Sequence, residues 1–246
     1  MLWQRSCKTI FIDGKHISVL QSGSGRDILF LHGYLSCKES FYYNIKGLEK
    51  TYRVTAFDFP GFGASSPIDS EWSVADYASF TKKFIKTEGL ERPCVVAHSF
   101  GARVAIKLAS NEDIFSAMLI TGGAGMVKKR SFKYKRSVAA YRAVKKLAPK
   151  FAENHFGSGE YRQLSPVMKG SYKKIVNEDL LKDAERINCR TLLLYGKDDE
   201  VTPFYEEGEA FNRAIRGSLL KIMAGGHFCF AENPQEFNAA AAEFFG

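Results

Sequence analysis

Short apolar runs alternate along this chain with longer segments in which apolar residues recur every three or four positions. The short runs are nearly continuous in apolar character, which is typical of strands buried on both faces of a parallel sheet. The longer segments have the periodicity of amphipathic helices. This alternation predicts an α/β fold, with a mostly parallel sheet that carries helices on both faces. The predicted strands of this sheet are residues 28–31, 53–57, 94–98, 116–121, 191–195 and 219–223.

An antiparallel hairpin is predicted at the N-terminal side of this sheet. Residues 9–12 and 16–20 flank the dipeptide Asp13-Gly14. Asp-Gly is a favoured sequence for the two-residue turn that joins antiparallel strands. The two segments are therefore expected to pair with each other and to open the sheet.

Four helices are predicted from the helical periodicity. The first has a serine at its start, Ser73, and a glycine just past its end, Gly89, which are favoured residues at those places. The predicted helices are residues 73–87, 100–110, 203–216 and 234–245.

Ser99 stands at the junction of a predicted strand and a predicted helix. A strand that runs directly into a helix makes a sharp turn, and the residue at its apex projects its side chain away from the backbone. The positions two before and two after the apex come close together, so they must be small. Ala97 and Gly101 meet that requirement. The pattern predicts a nucleophile at Ser99, although a serine that only caps the helix would also fit it.

Carboxylates and a histidine follow the last two predicted strands. Asp198 and Asp199 come after the next-to-last strand, and His227 comes after the last one. The carboxyl ends of parallel strands share one edge of a sheet, where ligands bind. A serine nucleophile needs a base, and the base needs an acid to orient it. The pattern therefore predicts that Ser99, His227 and one of the two aspartates act together.

Five segments follow one another over nearly the whole chain: LHGY at 31–34, DFPGFGAS at 58–65, the Ser99 turn, GKDD at 196–199 and GHF at 226–228. In order and spacing, this set resembles the α/β-hydrolase superfamily, and in particular its lid-bearing, carboxylesterase-like serine hydrolases. The resemblance implies the α/β-hydrolase fold and a catalytic triad.

The resemblance also implies a role for each member of that triad. Ser99 would attack a carbonyl carbon, His227 would accept its proton, and Asp199 would orient the imidazole. The family pattern places the acid three residues after a glycine, here Gly196, which favours Asp199 over its neighbour Asp198. Some members place the acid after the preceding strand, but residues 121–123 here read Thr-Gly-Gly and hold no carboxylate.

Two backbone N–H groups are implied as the oxyanion hole. One belongs to Phe100, directly after the nucleophile, and the other to Tyr34, in the loop after His32-Gly33. Losing one such donor typically raises the barrier by about 3–4 kcal/mol. The side chains of Tyr34 and Phe100 are expected to wall a substrate pocket, although ordinary packing of the loop would account for them equally well.

Two other histidines and one aspartate are interpreted as structural. His32 precedes a glycine turn and is expected to form local hydrogen bonds. His98 points away from Ser99, since side chains alternate along a strand, and so should lie within the fold. Asp58 is expected to fix a turn beside the site.

The chain is divided into a core and an insertion. Residues 1–124 and 187–246 are assigned to the α/β-hydrolase core, and residues 125–186 to a helical lid. Residues 122–186 hold 16 lysines and arginines against 6 acidic residues, so the net charge of +8 arises there. A solvated basic helical face is one interpretation; attraction of an anionic substrate or of an anionic membrane surface is the other. Nucleic-acid binding is not predicted, because no reading module accompanies the basic residues.

The sequence predicts a cytoplasmic enzyme. The N-terminal residues are followed by no apolar run long enough for a signal peptide, and no stretch approaches the roughly 20 apolar residues of a membrane helix. The five cysteines are an odd number and lie far apart, which is typical of reduced thiols in the cytosol. No spacing suits a metal, so neither a metal nor a cofactor is expected.

The predicted function is that of a serine hydrolase that cleaves a small carboxylic ester through an acyl-enzyme on Ser99. The same triad also serves amide, thioester, lactone and carbon–carbon bond hydrolysis. A ligand-binding protein that keeps the pocket without turnover is a further alternative. The sequence does not separate these cases.

Overall fold

One twisted sheet organises the molecule. The computed structural model describes residues 7–127, 161 and 163–246. Within them the strands are β1 Cys7–Ile12, β2 Lys15–Ser22, β3 Arg26–Leu31, β4 Tyr52–Phe57, β5 Cys94–His98, β6 Ala117–Thr121, β7 Arg190–Gly196 and β8 Leu219–Met223. Their order is β1-β2-β4-β3-β5-β6-β7-β8. The β1–β2 and β2–β4 pairs are antiparallel, and the other neighbours are parallel. The mostly parallel sheet is confirmed.

The N-terminal hairpin is confirmed with the expected turn. Ile12 pairs with Lys15, so Asp13 and Gly14 alone make the connection. Both turn residues have positive φ, 50° and 74° respectively. Positive φ at both central positions defines a type I′ turn, whose twist matches that of the flanking strands.

Helices cover both faces of the sheet, as predicted. A 3₁₀ turn at Lys38–Phe41 leads into the first helix. The described helices are α1 Tyr42–Leu48, α2 Val74–Thr87, α3 Phe100–Ala109, α4 Pro166–Val176, α5 Leu181–Ala184, α6 Glu209–Ala214, α7 Cys229–Glu232 and α8 Pro234–Phe245.

Alternation along the strands divides the core into two layers. Leu29 and Leu31 of β3 pack into a layer with α2 and α3. Ile28 and Phe30 of the same strand pack on the other face, in a layer with α1 and α8. Each fully buried side chain of this size stabilises the fold by about 1.5–3 kcal/mol. The apolar strands therefore hold helices against both faces.

The start of α2 lies where the sequence predicts it. The Ser73 side chain accepts a hydrogen bond from the Asp76 backbone N–H, and the Asp76 carboxylate accepts one from the Ser73 backbone N–H. This reciprocal capping box satisfies two N–H groups that a helix leaves unpaired at its N-terminus. The Gly89 backbone, with φ of 62°, follows the end of the helix.

The predicted helix 203–216 differs in detail. Its first part is a π-helical turn, Phe204–Gly208, and only the second part, α6, is α-helical. The wider turn contains Glu207, a buried carboxylate that accepts hydrogen bonds from the backbone N–H groups of Gly125 and Met126, each at 3.2 Å. A π turn inserts one extra residue, which apolar periodicity does not reveal.

Of the predicted insertion, residues 125–127, 161 and 163–186 are described, and they include the helices α4 and α5. The division of the chain into a core and a helical lid stays a prediction. The predicted basic helical face between residues 128 and 150 lies outside the described residues. In the described part of the chain, no helix has both the length and the apolar character needed to cross a membrane.

Candidate active site

Ser99 occupies a strained turn between β5 and α3. Its backbone has φ of 50° and ψ of −104°, and the serine is partly exposed. A non-glycine residue with positive φ costs free energy, and such residues cluster at functional sites. Ser99 N–H donates to the Thr121 carbonyl at 3.2 Å, which ties the turn to the end of β6. This is the geometry expected of a nucleophile held clear of the sheet.

Close packing around the turn explains its small residues. Gly101 lies in the first turn of α3, and a Cβ built on it would overlap the Leu31 carbonyl group at the end of β3. Ala97 is fully buried on the other side of the turn. The structure therefore supplies the physical reason for a glycine two residues after Ser99.

Asp199 and His227 are joined directly. Asp199 Oδ2 lies 2.8 Å from His227 Nδ1, and the Asp199 side chain is fully buried. The other carboxylate oxygen, Oδ1, accepts the backbone N–H groups of Val201 and Thr202, at 2.8 and 2.9 Å. Burial alone would raise the pKa of Asp199, but its hydrogen bonds from His227 and Thr202 lower the pKa overall. The carboxylate is thus held ionised beside the imidazole.

The neighbouring aspartate does not take this place. Asp198 is exposed, and its backbone N–H donates to the Gly225 carbonyl at 3.0 Å. At the alternative position of the acid, the Thr121 hydroxyl lies 3.6 Å from Cys229 Sγ. Of the positions that the sequence left open, Asp199 is the one that contacts His227.

His227 lies over the ends of β5 and β6, beside the Ser99 turn. Gly122 follows the residue that accepts the Ser99 N–H, and a Cβ built on Gly122 would lie 3.1 Å from His227 Nδ1. Among the described residues no hydrogen bond joins Ser99 Oγ to the imidazole. Hydrogen bonds between catalytic groups are often long before substrate binds, so we expect this one to form in the substrate complex.

The two backbone donors of the expected oxyanion hole are available. Phe100 is the first residue of α3, where N–H groups have no partner within the helix. In the described part of the chain, neither the Phe100 N–H nor the Tyr34 N–H donates a hydrogen bond. Both can therefore donate to an oxyanion without breaking an existing bond.

The side chains of the same two residues lie in different environments. Phe100 is only 2% exposed and packs edge-on against Phe59 and Tyr77. Tyr34 is half-buried; its ring contacts those of Phe100 and Tyr172, and its hydroxyl donates to the Met168 carbonyl at 3.1 Å. Tyr34 thus connects the loop after β3 to α4.

Asp58 and Lys38 form a buried pair that the sequence analysis missed. Asp58 fixes its turn as expected, since Oδ2 accepts the Ala64 N–H at 2.9 Å. It also accepts the Lys38 backbone N–H at 2.7 Å and the Lys38 ammonium at 2.9 Å. The two residues are 20 positions apart, and only the order β4-β3 brings their loops together. The pair fixes the loop that carries Tyr34.

Two histidines lie buried within the fold, in agreement with the sequence. His32 Nδ1–H donates to the Gly33 carbonyl at 2.7 Å, and Nε2 accepts the Phe59 N–H at 3.0 Å. Burial lowers the pKa of His32 to about 4, so the ring stays neutral. His98 is 1% exposed and points into the fold. Thr202, whose hydroxyl donates to Asp199 Oδ2 at 2.8 Å, was not anticipated; its position in a turn three residues after Asp199 is the available signal.

Comparisons with known proteins agree with this fold. The model of the alpha/beta hydrolase family matches residues 28–240. The AB hydrolase superfamily protein YisY of Bacillus subtilis is 28% identical in an alignment of length 256, which covers 90% of this chain and 92% of that protein. An esterase from Exiguobacterium antarcticum has 24% identity and a TM-score of 0.76, with coverage of 95% of this chain and 96% of that one. A bromoperoxidase from Bacillus anthracis has 20% identity and a TM-score of 0.80, with coverage of 98% and 99%. The chain belongs to the alpha/beta hydrolase family.

Proposed function

We propose that this protein is a serine hydrolase that cleaves a small carboxylic ester through an acyl-enzyme on Ser99. The observation that carries the proposal is the 2.8 Å hydrogen bond between His227 and the buried Asp199, beside the strained Ser99 turn. A base oriented by an acid next to a partly exposed serine is the arrangement that activates a hydroxyl group. Without an adjacent base, a serine hydroxyl is a weak nucleophile at neutral pH.

The first half-reaction would proceed as follows from these atoms. Ser99 Oγ forms a bond to the carbonyl carbon while its proton passes to His227 Nε2. Because Asp199 is ionised, it accepts the Nδ1–H and stabilises the imidazolium that results. The carbonyl oxygen becomes an oxyanion that accepts hydrogen bonds from the backbone N–H groups of Tyr34 and Phe100. The tetrahedral intermediate then breaks its bond to the alcohol, which leaves with the proton from His227.

The second half-reaction uses the same groups with water as the nucleophile. Water gives a proton to His227 as its oxygen attacks the acyl carbon. Collapse of the intermediate releases the carboxylic acid, and the proton returns to Ser99 Oγ. No group other than water and the ester is consumed.

One of the similar structures is named an esterase and another a bromoperoxidase, so membership of the family does not set the reaction. Amide, thioester, lactone and carbon–carbon bond hydrolysis would use the same triad, and a binding protein would keep the pocket without turnover. The half-buried ring of Tyr34 is the side chain that we propose to wall the acyl pocket, with Phe100 packed behind it. An anionic substrate or membrane surface would be attracted by the basic insertion, which stays a prediction.

A panel of p-nitrophenyl esters of graded chain length tests the proposal. We expect turnover of the acetate and butyrate esters that is faster than that of the decanoate, and loss of at least about 1,000-fold in kcat in Ser99→Ala. Equal rates for the wild type and Ser99→Ala would contradict the proposal. Inactivity on the whole panel would contradict esterase activity and favour carbon–carbon bond hydrolysis or binding.

A further inference from the structure

A second imidazole, that of His98, lies directly behind the proposed catalytic base. His98 Nε2 is 3.0 Å from the backbone carbonyl oxygen of His227. A carbonyl oxygen can only accept, so Nε2 carries a proton, and in the neutral ring Nδ1 is then bare. The His98 and His227 rings are 4.7 Å apart between centroids. One side chain thus contacts both the main chain and the ring of the base.

The bare nitrogen of His98 is buried and has no hydrogen-bond partner among the described residues. It faces Gly33, and a Cβ built on that glycine would lie 2.8 Å from Nδ1 and 3.6 Å from the Ser99 Cβ. The ring is therefore wedged between the loop that carries Tyr34 and the loop that carries His227. Its own backbone is joined to Ser99. All three parts of the site meet at this one side chain.

The imidazole at this position is hydrogen-bonded through one nitrogen only. Its Nδ1 is buried without a partner among the described residues, which costs free energy, and an apolar ring of similar volume would remove that atom together with the donor to the His227 carbonyl. The surroundings are suited to such a ring, since Phe228 and Phe230 lie 5.0 and 4.8 Å away between centroids. What the imidazole adds is the single N–H that holds the His227 carbonyl.

Burial, and then the neighbouring charge of His227, lower the pKa of His98 to about 3. The ring therefore remains neutral while the site works near neutral pH. It keeps the same tautomer and the same hydrogen bond throughout.

We propose that His98 is a positioning residue for the hydrolytic reaction: its Nε2–H fixes the main chain of His227 and thereby the orientation of the catalytic imidazole between Asp199 and Ser99. The proposal rests on the proposed function of that site. His98 touches no reacting atom, and it acts through the loop that bears the base. A displacement of about 1 Å in such a group can cost about 100-fold in rate.

Two substitutions separate the N–H from the volume of the ring. His98→Phe keeps an aromatic ring and removes the donor, whereas His98→Gln places an amide N–H at a similar reach. With the best ester of the panel, we expect His98→Phe to lower kcat about 10- to 100-fold with KM within about twofold of the wild type. We expect the pH profile of kcat/KM, which reports the free base, to shift in His98→Phe. His98→Gln, which keeps an N–H donor, should have a kcat within about threefold of the wild-type value.

These outcomes separate positioning from a purely structural role. A folded His98→Phe with wild-type kcat and pH profile would overturn the proposal, and so would a folded His98→Gln that is no better than His98→Phe. Thermal melting shows whether each variant is folded. Ser99→Ala in the same assay shows separately whether the proposed function itself fails.

A measurement on the wild-type protein keeps the proposal testable if neither variant folds. The ¹⁵N shifts of the His98 ring report which nitrogen carries the proton. We expect protonation of Nε2 alone from pH 6 to pH 8. An Nδ1–H tautomer would overturn the proposal, because the bond to the His227 carbonyl could not exist.

Discussion

At the scale of single residues, the site combines groups that a sequence reveals with groups that only the fold reveals. Ser99, Asp199 and His227 were recognisable because each follows a strand in a distinctive local motif. His98 was expected to be buried, yet its contact with His227 spans 129 positions and has no local signal. The buried Lys38–Asp58 pair was missed for the same reason. Side chains whose partners lie in distant loops need the sheet order before they can be paired.

The two adjacent aspartates provide a matched test of the orienting acid. Asp199→Asn should lower kcat about 1,000- to 10,000-fold, because an amide in that place no longer favours the tautomer in which Nε2 accepts the Ser99 proton. Asp198→Asn changes an exposed carboxylate that does not contact His227, and it should keep kcat within about twofold. Steady-state kinetics on one ester check both variants. A greater loss in Asp198→Asn than in Asp199→Asn would reverse the assignment.

At the scale of elements, the apolar pattern predicted the strands and the principal helices of the core. It predicted less well where hydrogen bonding departs from the regular α-helix, as in the π turn Phe204–Gly208. The short helix α1 was not predicted, since a run of seven residues is too brief to establish a helical period. The sequence predicted that small residues are required around Ser99. The close approach of α3 to the end of β3 explains this requirement at Gly101.

That approach can be tested with two helical glycines. Gly101→Ala places a methyl group against the backbone of Leu31, which cannot move without displacing β3. We expect a loss of roughly 1–3 kcal/mol in the free energy of unfolding, together with reduced kcat, since the turn before α3 must shift.

Gly47→Ala in α1 is the control. Its methyl group would displace the side chain of Asn238 and break that side chain's hydrogen bonds to Asn44 and Tyr43, which lie away from Ser99, so we expect a loss of roughly 1–3 kcal/mol in the free energy of unfolding but wild-type kcat. Urea unfolding and ester kinetics measure both effects. Equal kcat in Gly101→Ala and Gly47→Ala would show that the close approach is not required for activity.

At the scale of the whole molecule, the parallel sheet brings the candidate chemistry to one edge. The loops after β3, β5, β7 and β8 carry Tyr34, Ser99, Asp199 and His227. The family, the sheet and the hairpin could all be anticipated from the motif order, because that order fixes which loops share the edge. The substrate could not, since the segment between the two halves of the core lacks motifs that would identify it.

Two neutral buried histidines should make the stability of the whole protein fall in mild acid. Burial is the main cause that lowers the pKa values of His32 and His98, to about 4 and about 3, whereas unfolded histidines titrate near 6.5. Below pH 6.5 the unfolded chain therefore binds protons that the native protein does not, and stability is lost as the pH falls towards 4. Each histidine should contribute a slope of about 1.4 kcal/mol per pH unit in this window.

Urea unfolding at pH 8, 7, 6 and 5 measures this dependence. We expect little change between pH 8 and pH 7 and a declining free energy of unfolding from pH 6 to pH 5. A free energy of unfolding that stays constant from pH 7 to pH 5 would show that the two rings are not held neutral in the native protein.

Covalent labelling with a fluorophosphonate tests most directly whether Ser99 is an activated nucleophile. The probe forms a bond from phosphorus to a serine oxygen as fluoride leaves, which requires the hydroxyl proton to be taken by a base. Intact-mass measurement of the wild type should show a single adduct, which peptide mapping places on Ser99. Ser99→Ala should give no adduct, and His227→Gln should label at least about 100-fold more slowly. A folded wild-type protein that stays unmodified, or a Ser99→Ala variant that labels as fast as the wild type, would contradict the account.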